Sequence, residues 1–276
     1  MTQKNTQSQA EAASHWFSWS AKRCWRSFSF LAQHVSRAPK KTSPPFWSAS
    51  TIAILIAVGL GIAALLPFDE VLATRLSDLE HPLVDIWRAL TDLGLDYPYV
   101  VVSAVVALLF GGLDRDAASD RNRVRLKLIY MQAMFVFASF GLSSTATYLG
   151  KFFVGRARPK FMQELGADHL VPFSFGHDFA SFPSGHATAF GTLAAILSIW
   201  FPRWRGAILP LFILLAFSRV AVGAHYPTDV VAGFSIGMLM VIWFARFLAR
   251  KGIGFRFIDG RIMPAVVVSR WDKTLV

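Results

Sequence analysis

The sequence predicts an all-α, polytopic membrane protein: six transmembrane helices, with an interfacial amphipathic helix between the first two. Three observations predict it. Hydrophobic residues make up 54% of the 276 positions and charged residues only 16%, with 25 Phe and nine Trp. A soluble chain of this length lacks the interior to hide so much apolar surface, and the mean hydropathy of +0.44 agrees. The apolar residues fall into six runs near the ~20 residues that cross a hydrocarbon core, at 47–68, 97–113, 129–153, 184–201, 207–222 and 229–247. Basic residues gather at the edges of those runs.

In chain order, residues 1–46 form a basic, polar tail on the cytoplasmic side. Trp16, Trp19, Trp25, Phe28 and Phe30 alternate there with Lys22, Arg23 and Arg26. That composition suits a basic helix lying on the membrane, or an unstructured tail. It is not a signal peptide, because no apolar core follows its first basic residues before Trp47. The six-span core occupies 47–248, and a second basic tail 249–276. Within the core, Leu72, Leu76, Leu79, Leu83, Ile86, Leu90 and Leu93 recur every three or four residues. This spacing predicts the amphipathic helix, broken at Pro82 and lying at the interface.

Charge sets the orientation. The tails, the 114–128 loop and the 202–206 turn are rich in Lys and Arg, and an even number of spans puts all four on one side, the cytoplasmic one. The 69–96 segment carries seven acids against Arg75 and Arg88 and belongs outside. The formal charge of +11 therefore reads as topology signal and affinity for an anionic lipid bilayer, with no nucleic acid partner. A lone Cys24 excludes an intramolecular disulfide and any multi-cysteine metal site.

Alternating spans then bring three polar clusters to the outer face. Lys151 and Arg158 follow the third span, Ser184-Gly185-His186 opens the fourth, and Arg219, His225 and Asp229 lie between the fifth and sixth. Lys151, Arg158 and Arg219 can neutralise a phosphate, the arginines with directed donors and the lysine as a point charge. Ser184 starts a helix, so the Gly185 and His186 amides and the Ser184 hydroxyl can bind an anion. Asp229 sits two residues into a helix begun at Pro227, from where it can reach back to His225, fix its tautomer and leave the other ring nitrogen free to attack. His186 is then the acid for the leaving oxygen. His177 and His81 stand outside these clusters, with His177 close enough to touch a substrate. Arg156 reads as a headgroup-seeking side chain.

The clusters match, in order, Lys-x6-Arg-Pro at 151–159, Pro-Ser-Gly-His at 183–186 and Ser-Arg-x5-His-x3-Asp at 218–229. The chain thereby resembles the type 2 phosphatidic acid phosphatase family, membrane relatives of the vanadium haloperoxidases. The resemblance implies a six-helix core and a phosphohistidine on His225 oriented by Asp229. It also implies His186 as acid, with Lys151, Arg158, Ser184, Gly185 and Arg219 around the phosphate and neither metal nor cofactor. The implied partner is a membrane lipid phosphate: phosphatidic acid, phosphatidylglycerol phosphate, a prenyl pyrophosphate or a lipid A phosphate. Activity is expected on the outer face, the periplasmic one in a bacterium. A lipid-to-lipid phosphotransferase would carry the same motifs. A transporter would place ionisable groups mid-span, where this chain has essentially none.

Overall fold

The computed structural model of the chain describes residues 2–36, 38–39, 44–45, 48–77, 82–113, 118–258 and 261–267. Ten α-helices appear among them: α1 (Thr2–Ser36), α2 (Ala49–Leu65), α3 (Asp69–Ser77), α4 (Pro82–Thr91), α5 (Tyr97–Gly112), α6 (Asp120–Val154), α7 (Met162–Leu165), α8 (Gly185–Trp200), α9 (Arg205–Ala221) and α10 (Pro227–Lys251). The protein is an integral membrane protein of the expected helical class.

Four helical stretches are individually long and apolar enough to cross a membrane: Ala49–Arg75, Asp120–Val154, Pro202–Ala221 and Pro227–Lys251. Ile86–Gly94 and Tyr97–Gly112 meet the criterion together, across a bend of 42°. The remaining apolar run gives α8, whose 16 residues rise about 24 Å at 1.5 Å each. Its burial explains its shortness: Ala187, Phe190, Ala194, Ala195, Ile196 and Ile199 are all within 2% exposure, so neighbouring helices rather than lipid surround it. None of the residues of α2, by contrast, is buried, and Ile56 and Leu60 are open to lipid.

Several expectations need correction. The basic 114–128 loop is helical from Asp120 onward, continuous with α6, because Arg, Lys and Leu are good helix formers. The N-terminal tail folds into α1 and docks: the Cys24 thiol donates to the Leu108 carbonyl at 3.4 Å and the Ser27 hydroxyl to that of Gly111 at 3.1 Å, at the C-terminal end of α5. In the C-terminal tail Phe255–Arg256 and Ala265–Val266 pair antiparallel, and Phe255 enters the core beside Phe135. The amphipathic segment forms α3 and α4, the second starting at Pro82. Residues 78–81, His81 among them, lie outside the described residues.

The core is built on α8 and α10, and glycines set their separation. A Cβ on Gly191 would stand 2.1 Å from the Phe234 carbonyl oxygen, one on Gly233 2.3 Å from that of Ser184, and one on Gly237 2.1 Å from that of Thr188. Real side chains do not approach so closely. The two backbones therefore touch, and the N-terminal end of α8 is held beside that of α10.

Candidate active site

Three chain reversals build the site. Gly155 ends α6 in the left-handed conformation at φ 60°, where its amide donates to the Lys151 carbonyl. A Cβ there would also fall 1.7 Å from the Val171 carbonyl oxygen, so the returning loop needs a glycine. Gly223, at φ 67°, turns the chain after α9, and the His225 amide donates back to the Arg219 carbonyl at 3.2 Å. Ser184 caps α8, its hydroxyl accepting from the Ala187 amide, while its own amide donates to the Asp229 carbonyl at 3.0 Å. This last bond joins the second motif to the third.

The result is a cavity of about 850 Å³ lined by Lys151, Arg158, Gly185, His186, Arg219 and His225, with His177 at the same wall. Six of the eight residues singled out from the sequence thus face one space. Ser184 and Asp229 are not in its lining; both are fully buried behind it. The Lys151 ammonium donates to the Ala180 carbonyl. Arg158 donates through Nε to the His177 carbonyl at 3.0 Å and lies 3.3 Å from the His177 ring. Arg219 donates through Nη1 to the Thr91 hydroxyl at 2.7 Å, yet its buried Nε has no partner among the described residues. An unmet guanidinium donor at such a wall suits an anionic ligand.

His225 is 3% exposed. Burial, aided by the charges of Lys151 and Arg158, lowers its pKa to about 4 despite the opposing pull of Asp229. The imidazole is therefore neutral near pH 7, the form able to attack. Its Nδ1 stands 3.6 Å from Asp229 Oδ2, the reach-back the spacing predicts, slightly longer than a hydrogen bond.

The sequence reading missed what holds Asp229. Its Oδ2 accepts from the Ser181 hydroxyl at 2.6 Å and the Tyr226 amide at 2.9 Å. Its Oδ1 accepts from Arg156 at 2.8 Å. Arg156 is 4% exposed; it also donates to Asp69 and to the Thr228 hydroxyl, each at 2.8 Å, and lies over the Tyr226 ring. Burial opposes its charge, but Asp229 and Asp69 outweigh that and raise its pKa. Asp69, fully buried, accepts from the Thr228 amide at 3.0 Å and from the Thr228 hydroxyl. One signal was available: four basic residues between 151 and 160 exceed what one phosphate needs.

The PAP2 superfamily model matches residues 132–253, a stretch containing all three motifs. The lipid A 1-phosphatase of Rhizobium johnstonii is 32% identical over 216 residues, covering 77% of this chain and 86% of that protein. This chain belongs to the PAP2 superfamily. A second PAP2 relative, the lipid A 1-phosphatase of Rhizobium etli, is also 32% identical over 216 residues, covering 77% of this chain and 90% of its own. Among solved PAP2 structures, Aquifex aeolicus LpxE superposes with a TM-score of 0.42 at 21% identity, over 63% of this chain and 93% of that one.

Proposed function

We propose that this PAP2 protein is a lipid phosphate phosphatase that works from the outer face of the membrane without a metal, through a phosphohistidine on His225. The observation that carries the reading is the meeting, in one cavity, of a neutral buried His225 with Lys151, Arg158 and Arg219, the last with a donor unmet. The cations take the phosphate oxygens and compensate the charge of the transition state. The free ring nitrogen of His225 attacks phosphorus, the ester P–O bond breaks, and His186 gives its proton to the departing oxygen. Water then attacks the P–N bond, returning its proton to His186 and releasing inorganic phosphate. Asp229 holds the His225 tautomer. Ser184 presents the Gly185 and His186 amides to the phosphate by capping the helix that bears them.

The substrate keeps its chains in the bilayer. The cavity wall includes Ser144, Thr145, Tyr148 and Leu149 of α6, and Tyr148 is 71% exposed, so the opening runs toward the lipid-facing side of that helix. Lipid A phosphates, to which the Rhizobium relatives owe their name, head the candidate substrates. Purified protein in detergent with excess chelator is expected to release inorganic phosphate from lipid monophosphates at an undiminished rate. Activity lost in chelator and restored by magnesium would refute the mechanism. Labelled phosphate recovered on a second lipid, rather than in water, would make the protein a phosphotransferase.

Topology has its own test. In a Cys24→Ser background, Asp92→Cys is expected to react with an impermeant thiol reagent on intact cells, whereas Asp120→Cys reacts only after lysis. The reverse pattern would turn the site to the cytoplasm.

A further inference from the structure

One carboxylate faces the same cavity as the three cations and has no part in the chemistry above. Asp96 lines the cavity at the junction where the chain bends into α5. It occupies the capping position of that helix, but its side chain makes no capping bond. Among the described residues it forms no ion pair. Its one side-chain bond is from the Ser144 hydroxyl, at 2.5 Å to Oδ2, which pins the carboxylate to α6 and leaves the second oxygen without a hydrogen bond among the described residues.

Its position relative to the reaction is defined by its neighbours. Gly94, two residues earlier, packs on the start of α8, where a Cβ would lie 3.0 Å from His186 Cβ. The charge of Asp96 is also felt at His186. Asp96 thus stands on the side of the residue expected to protonate the leaving oxygen.

A negative charge in a cavity meant for phosphate opposes binding, since like charges a few ångströms apart repel even when partly solvated. Tying α5 to α6 does not require it; an Asn or Ser would accept the Ser144 bond. A fixed acceptor with one oxygen free is useful where the substrate brings donors of its own, and it penalises one that brings further anionic oxygens. We propose that Asp96 is a specificity-determining residue, accepting a hydrogen bond from a hydroxyl, amide or ammonium group on the alcohol that carries the phosphate and disfavouring a second phosphate there. The substrate class is then a lipid phosphomonoester on a donor-bearing headgroup, such as an aminosugar, rather than a prenyl diphosphate. This rests on the lipid phosphatase reading and narrows it.

The test uses the full-length protein in mixed micelles at one surface fraction, with an acylated glucosamine 1-phosphate, phosphatidic acid and a prenyl diphosphate, measuring kcat/KM for each. The wild type is expected to favour the aminosugar phosphate. Asp96→Ala is expected to lower the ratio of aminosugar phosphate to prenyl diphosphate by at least about tenfold. Asp96→Asn, which retains a partner for Ser144, should improve the diphosphate severalfold while holding part of the aminosugar rate. Equal losses on all three substrates would mean that Asp96 only supports the fold, and a wild-type preference for the diphosphate would also overturn the inference. Phosphate release from none of the three by the wild type is a separate outcome, which would bring down the lipid phosphatase reading itself.

Discussion

His225→Ala is expected to abolish turnover, with a loss of about four powers of ten or more, while the protein still folds and inserts. The size follows from the role: without the imidazole the nitrogen that takes the phosphoryl group is gone, and direct attack by water lacks a positioned partner. The side chain is buried, but the Asp229 carboxylate it faces keeps its bonds from Ser181, Tyr226 and Arg156, so its removal strands little. His186→Ala separates the two histidines. It should slow an alkyl phosphate strongly but recover in part on a substrate whose leaving group needs no proton, whereas His225→Ala should not recover. Rapid quenching with a radiolabelled substrate should trap acid-labile phosphate on the wild type and none on His225→Ala. Labelling that survives in His225→Ala would move the nucleophile elsewhere.

Arg156→Ala is expected to cost more in stability than any other substitution near the site. Arg156 is the cation between Asp69 and Asp229, both fully buried. Removing one partner from a buried ion pair typically costs about 3–5 kcal/mol, because the other charge is left without compensation, and here two carboxylates are left. Arg156→Lys should recover only part of this, as one ammonium cannot reproduce a planar fork bonded to Thr228, Asp229, Asp69 and the Ala167 carbonyl. Thermal unfolding in detergent is the measurement, with turnover on the surviving folded fraction. An Arg156→Ala protein as stable and as active as the wild type would show that the cluster is dispensable.

The contrast between these two positions shows what a linear sequence carries. His225 was legible because its partners are near in sequence and its type is chemically narrow: a His, an Asp four residues on, an Arg six before. Topology then brought the other two motifs to the same face without any knowledge of packing. Arg156 was misread as headgroup-seeking because burial of a charge depends on partners that no local pattern reveals. Its companion Asp69 bonds to Thr228 across 159 positions and looked like one acid among seven in an outer segment. Ser184 was legible as a helix start, but whether its hydroxyl faces the ligand or its own helix is decided by rotamer and space. Helix extents were similarly half-visible. Apolar runs marked where lipid begins, whereas the polar inner turns of α6 continue because nothing in Asp120–Lys127 breaks a helix.

The seam of glycines between α8 and α10 has a consequence for how such a protein can change. His186 rides on the first helix, and His225 directly precedes the second. The gap between them is therefore gauged from below, by backbone contact inside the bundle. The loops above add the bonds from Arg156 and Ser181 that aim Asp229, so they orient the catalytic groups across a span whose width the seam sets. A side chain added at Gly191, Gly233 or Gly237 would therefore shift the two histidines relative to each other, whereas a change at Asp96 alters only the cavity wall.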